Sequence, residues 1–303
     1  MNLARKIVPA WSILILGPAL LAFPLRAQYA GPESGQKVAF MGDSITQFGT
    51  SPSGYVTLVE MALKDIGKPI VVIPAGVSGN TSKDMIARLQ KDVLDKKPDW
   101  MTLSCGVNDV WHGAGGVELD PYEQNITSMV DQATAAGIKV VLLTSTMIGE
   151  DQPNPNNQKL TAYNDFLRKL ATERHLSLVD LNAAMQDELA KQKAAATGFK
   201  GYYITVDGVH MNCLGNQMMA EGILKAMGVT DAQIAPEKEK WMDIPGAVTV
   251  NVSATLTARQ YLQFRTEALG QNTSFEYLFD DYLAQDLQRR SKASAPQTSP
   301  AKP

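Results

Sequence analysis

A serine, an aspartate–histidine pair, a glycine-rich turn and an asparagine are the groups in this 303-residue chain whose types and spacing could do chemistry. Ser44 follows the apolar run Val38–Met41 and the pair Gly42-Asp43. It therefore falls where a buried strand ends, the edge at which open α/β sheets hold their ligands. A hydroxyl there either serves as a nucleophile or caps the helix that follows. Val71–Thr81 is a second apolar run that opens into small residues, Gly76, Ser78 and Gly79 among them. Glycine there lets backbone N–H groups approach a ligand, although an ordinary turn has the same composition. A third run, Leu103-Ser-Cys-Gly-Val-Asn-Asp109, ends in Asn108, which either caps a helix or donates its side-chain NH₂ to an oxyanion. Asp207 and His210 stand three residues apart in a tight turn, on one side of it. The carboxylate can hold the imidazole Nδ1–H and leave Nε2 free to take a proton from a hydroxyl. Such pairs also tie down loops or bind metals. A metal fits poorly, because the other histidines, His112 and His175, have no partner at ligand spacing.

The elements that must position these groups alternate. Strands are expected at Val38–Met41, Ile70–Ile73, Trp100–Cys105, Val140–Ser145 and Leu176–Leu181, each nearly continuous in apolar residues, as strands buried on both faces are. Helices are expected at 54–66, 82–95, 121–136, 157–174, 182–195 and 213–227. Asp120-Pro121 reads as an N-cap with proline at the first helical position, and Gly67, Gly137 and Gly228 sit at helix stops. The alternation predicts a three-layer α/β/α sandwich around a parallel sheet of about five strands. Beyond Gly228 the pattern changes. Residues 229–290 are expected to form a C-terminal, mostly helical extension, with a strand at Val248–Val252 and helices near 256–269 and 274–288. Residues 291–303, rich in Ser, Ala, Pro and Lys, are expected to be disordered.

Taken together, the four stretches resemble the SGNH hydrolases, the GDSL-type esterases and lipases. The matching motifs are Gly42-Asp-Ser-Ile-Thr46, Gly79 within Ser78–Thr81, Gly106-Val-Asn-Asp109 and Asp207-x-x-His210, in family order over about residues 37–228. The resemblance implies a flavodoxin-like SGNH fold and a serine esterase hydrolysing small acyl esters, acetyl above all, with carbohydrate as a natural carrier. It implies catalytic Ser44, Asp207 and His210, an oxyanion hole from Ser44, Gly79 and Asn108, and no metal or organic cofactor. Trp111 and His112 follow the Asn108 loop and either line the substrate pocket or pack beneath the loop. Two departures stand out: Pro74-Ala-Gly76 where many members carry an asparagine, and Met211 where a proline commonly follows the histidine. The Gly-x-Ser-x-Gly elbow of the α/β-hydrolases is absent around Ser44. Rival readings are a lysophospholipase or thioesterase acting on longer acyl chains, and a non-catalytic carbohydrate-binding module on the same fold.

Composition sets the outer bounds. A net charge of −3 without basic runs gives no footprint for nucleic acid. Arg5 and Lys6 precede an uncharged stretch, Ile7 to Phe23, and Leu25-Arg-Ala27 follows. That is a signal peptide over 1–27, cleaved after Ala27, and a secreted or periplasmic address with no stable membrane insertion afterwards; an uncleaved anchor is the alternative. Two cysteines, Cys105 and Cys213, are too few for a disulfide framework, and Cys105 within a strand reads as a buried free thiol. Asn-x-Ser/Thr triplets stand at Asn80, Asn125, Asn251 and Asn272. The oligomeric state leaves no trace in the sequence.

Overall fold

The structure, a computed structural model, describes residues 29–195, 201–244 and 257–294. In chain order its elements are β1 (Lys37–Gly42), α1 (Ser44–Phe48), α2 (Tyr55–Asp65), β2 (Val71–Gly76), α3 (Ser82–Asp92), β3 (Trp100–Ser104), α4 (Val107–Trp111), α5 (Leu119–Ala135), β4 (Lys139–Leu143), α6 (Pro155–Glu173), β5 (Ser177–Val179), α7 (Leu181–Ala195), α8 (Cys213–Ala226), α9 (Asp231–Met242), α10 (Ala258–Gly270) and α11 (Phe275–Ser294). The five strands form one parallel sheet in the order β2-β1-β3-β4-β5. Two sets of mutually packed helices flank it, α2 with α7, α8 and α9, and α3 with α5 and α6. The α/β/α expectation holds.

Burial explains the sheet. Val38, Phe40 and Met41 of β1 are wholly enclosed, each worth about 1.5–3 kcal/mol relative to exposure. Every residue of β3 is buried as well. Gly42 pairs with Gly76, and Met41 with Leu103, so β1, β2 and β3 end almost level. The segments leaving those three ends thus start from a common edge. It is also where the strand order reverses, with β1 and β3 adjacent, which is the ligand-binding crevice of this topology.

Several boundaries differ from expectation, for local reasons. β2 continues through Pro74 to Gly76 instead of stopping at Ile73. It is an edge strand, where a missing N–H breaks no ladder. α5 begins one residue before Asp120, with Glu118 as its N-cap. Pro121 still lies in the first turn, whose N–H groups have no intrahelical acceptor. α9 has no counterpart among the expected helices, and it carries in its interior Pro236, a residue that ordinarily breaks a helix. It packs on α8 and α2. Gly67, Gly137 and Gly228 end their helices in the left-handed conformation, with φ of 78°, 78° and 80°. Both cysteines are free, Cys105 buried and Cys213 exposed.

The chain divides into a unit ending at Val248, which contains the sheet, and a unit from Thr249 onward. Within the second, α10 and α11 form a pair in which Phe264 meets Phe279 and Tyr282 at ring separations of 6.3 Å and 5.8 Å. Helix α11 runs to Ser294, into the stretch read as disordered. The leader at 1–27 and the strand at Val248–Val252 lie outside the described residues. No helix among the described residues is long and apolar enough to cross a membrane.

Candidate active site

Ser44 is the first residue of α1, half-buried at the end of β1. The sharp exit from the strand depends on Gly42, since a Cβ there would lie 2.0 Å from Thr46 Oγ1. Asp43 caps α1, its carboxylate accepting from the Ile45 N–H at 2.9 Å. Asp43 is buried, and loss of hydration is the main force pushing its carboxyl up to about 6, opposed by the Ile45 bond and the nearby His210. It therefore organises the turn.

From the other side, His210 Nε2 lies 2.9 Å from Ser44 Oγ. His210 Nδ1 lies 2.7 Å from Asp207 Oδ2, and the other carboxylate oxygen accepts from the Val209 and His210 N–H groups at 2.9 Å and 2.8 Å. Burial works against the Asp207 charge, but these bonds outweigh it and hold its carboxyl below the ordinary value. With Asp207 ionised, Nδ1 carries the proton and Nε2 presents a lone pair to the serine hydroxyl. The arrangement can draw a proton from Oγ as it attacks, then return one to a leaving group.

Asn108, in α4 after β3, is buried and donates one amide hydrogen to the Asn80 carbonyl at 3.0 Å. The NH₂ has a second hydrogen to offer. Gly79 lies on the exposed loop after β2 with φ 77°. Asp109 accepts from the Ser82 N–H at 2.9 Å and organises the same loops. Trp111 is half exposed and its ring is 6.5 Å from that of His112, which is also exposed. Neither borders the cavity next to His210, which is walled by Ile45, Phe48, Val206, Asp207, Met211 and Asn216.

Three residues that hold these groups in place escaped the sequence reading. Arg88 of α3 donates to the Gly42 carbonyl at 2.8 Å and to Asn80 Oδ1 at 2.6 Å, joining the loops after β1 and β2. Gln47 Oε1 accepts from the Ser78 N–H at 2.7 Å and from its hydroxyl at 2.8 Å. Glu150, buried beyond β4, accepts from the N–H groups of Tyr203, Ile204 and Thr205 at 2.6–2.8 Å and from the Thr205 hydroxyl at 2.8 Å. It anchors the segment leading into Asp207. Each is a polar side chain paired with backbone far away in the chain, which no local pattern announces. Among the described residues no group of three or more His, Cys, Asp or Glu side chains could hold a metal ion.

The chain is similar in sequence and in structure to several known esterases. The chain is 30% identical over 217 residues to an acetylxylan esterase of Geobacillus stearothermophilus, covering 64% of this chain and 95% of that one. The crystal structure of the acetyl xylan esterase AlAXEase superposes with a TM-score of 0.59 at 35% identity, over 63% of this chain and 98% of the other. A catalytic serine-to-alanine mutant of an acetylxylan esterase from Geobacillus stearothermophilus superposes with a TM-score of 0.57 at 30% identity, over 65% and 96% of the two chains. Further structures of that enzyme are catalytic mutants of an aspartate and of a histidine. A family model for the GDSL-like lipase/acylhydrolases matches residues 40–218, more than half of the sequence, and the chain accordingly belongs to that family and is a carboxylic-ester hydrolase.

Proposed function

We propose that the protein is a secreted esterase that removes small acyl groups, acetyl above all, from carbohydrate esters by a serine acyl-enzyme mechanism. The observation that carries this is the continuous contact Ser44 Oγ to His210 Nε2 at 2.9 Å and His210 Nδ1 to Asp207 at 2.7 Å. Ser44 Oγ attacks the ester carbonyl while His210 accepts its proton, and Asp207 orients and stabilises the imidazolium. The N–H groups of Ser44 and Gly79 and the Asn108 amide receive the negative oxygen of the tetrahedral intermediate. His210 then protonates the departing alcohol, and water repeats the sequence on the acyl-enzyme.

Acetylxylan esterases among the relatives support acetyl and carbohydrate as the two halves of the substrate. The leader at 1–27 supports work outside the cytoplasm, on a mature chain beginning at Gln28. Labelling with a fluorophosphonate tests the mechanism: the adduct is expected on Ser44, and an unlabelled Ser44 would remove the reading. A series of nitrophenyl esters from acetyl to octanoyl tests the acyl group. Rates should fall with chain length, and a rise would point to lysophospholipase or thioesterase chemistry instead.

A further inference from the structure

Next to the His210 imidazole is a cavity of about 270 Å³. Ile45 and Met211 are its buried apolar walls, whereas Phe48 and Val206 are 54% and 63% exposed. Adjoining apolar side chains left in solvent at the mouth of a cavity mark a place where something else covers them. Both are held relative to the imidazole. The Phe48 ring lies 5.1 Å from that of His210, steeply inclined, and the Val206 N–H donates to the His210 carbonyl at 2.8 Å.

The chemistry decides which half of an ester belongs there. When Ser44 Oγ bonds to the acyl carbon, the bond from that carbon to the alkoxy oxygen must break. The proton that left Oγ for Nε2 then passes to the alkoxy oxygen, which becomes the free alcohol. That transfer requires the alkoxy oxygen within about 3 Å of Nε2. The alcohol half is thus the substituent carried to the imidazole side. We infer that the cavity walled by Phe48 and Val206 is the subsite for the alcohol half of the substrate. It suits an alcohol with a broad C–H face, such as a pyranose ring, whose weakly positive hydrogens can meet the electron-rich face of Phe48. The inference rests on the serine-esterase reading and extends it to the side of the ester that the acyl series does not probe.

Two acetate esters with one acyl group and different alcohols provide the test: methyl acetate and the triacetate of methyl xylopyranoside. Both give the same acetyl-enzyme, so their ratio of kcat/KM reports the alcohol alone. In Phe48→Ala the ratio of sugar ester to methyl ester should fall roughly three- to tenfold, the value of one aromatic contact. Val206→Ser should lower it in the same direction. An unchanged ratio in both variants, whether the two rates fall together or neither falls, would overturn the subsite. Fluorophosphonate labelling of the wild type separates the two levels. A labelled Ser44 with an unchanged ratio removes the subsite alone, and an unlabelled Ser44 removes the mechanism with it.

Discussion

Ser44, Gly79 and Asn108 stand just beyond the ends of β1, β2 and β3, whereas Asp207 and His210 stand on a loop that no strand of the sheet leads into. The first group inherits its position from ladder hydrogen bonds, because three level strand ends fix where three loops begin. The second is tied by side chains and isolated contacts: the Glu150 carboxylate under Tyr203–Thr205, the Gly149 N–H to the Gly208 carbonyl at 2.7 Å, and the bridge between Thr205 and Met211. Each half is tied by an ionisable side chain from outside its own loops, the half-buried Arg88 for the strand ends and the buried Glu150 for the loop. The lesson is that the serine side should loosen only with the sheet, while the imidazole side can open locally at lower cost.

Chemistry first separates the halves. Asp207→Asn keeps the shape but favours the wrong imidazole tautomer, and kcat for nitrophenyl acetate should drop by about 10⁴. A loss below tenfold would remove Asp207 from the mechanism. Asn108→Ala, on the strand side, should cost about 10²–10³ through one lost oxyanion donor. Full activity would leave Asn108 as a loop tie to Asn80 only.

The anchors then test the comparison itself. Glu150→Ala strands three N–H groups and a hydroxyl in a buried place, costing about 3 kcal/mol or more. The melting temperature should fall by roughly 6–12 °C, and kcat by up to about a hundredfold as His210 shifts from Ser44. Arg88→Met removes two ties between loops that the strands still hold, so about tenfold in kcat with a smaller loss of melting temperature is expected. Equal effects of the two substitutions on melting would erase the distinction between the halves.

How much of this was legible follows from the same contrast. The strands, their parallel order of appearance and the four motif stretches could be read, because apolar runs and glycine-bounded strand ends are local patterns. The short helices α1 and α4 could not, since five residues carry no periodicity. α9 was hidden by Pro236, and the full length of β2 by Pro74, whose tolerance depends on an edge position that only the assembled sheet reveals. Arg88, Gln47 and Glu150 act on backbone 31 to 55 residues away, and Arg88, Gln47 and Glu150 each look like ordinary polar residues in the sequence. Trp111 and His112 adjoin Asn108 in sequence yet are not among the residues that wall the cavity at His210.

Two aspartates sharpen the comparison at its finest. On the strand side Asp43 is raised from 3.8 to about 6, chiefly by burial. Between those values the folded state binds more protons than the unfolded one, so the Asp43 contribution to stability is present at low pH and is lost as pH rises through about 6. On the loop side Asp207 is lowered, so its contribution is present above the ordinary value and lost as pH falls below it. Melting temperatures of the wild type and of Asp43→Asn, which keeps an acceptor for the Ile45 N–H, should therefore diverge between pH 4 and pH 7. The wild type should lose ground as pH rises, by on the order of 3 kcal/mol. Asp207→Asn should behave with the opposite sign, the wild type losing its advantage toward acid. A constant gap across that range for Asp43→Asn would mean its carboxyl is no more buried in effect than that of Asp207, and the two halves would then share one electrostatic character.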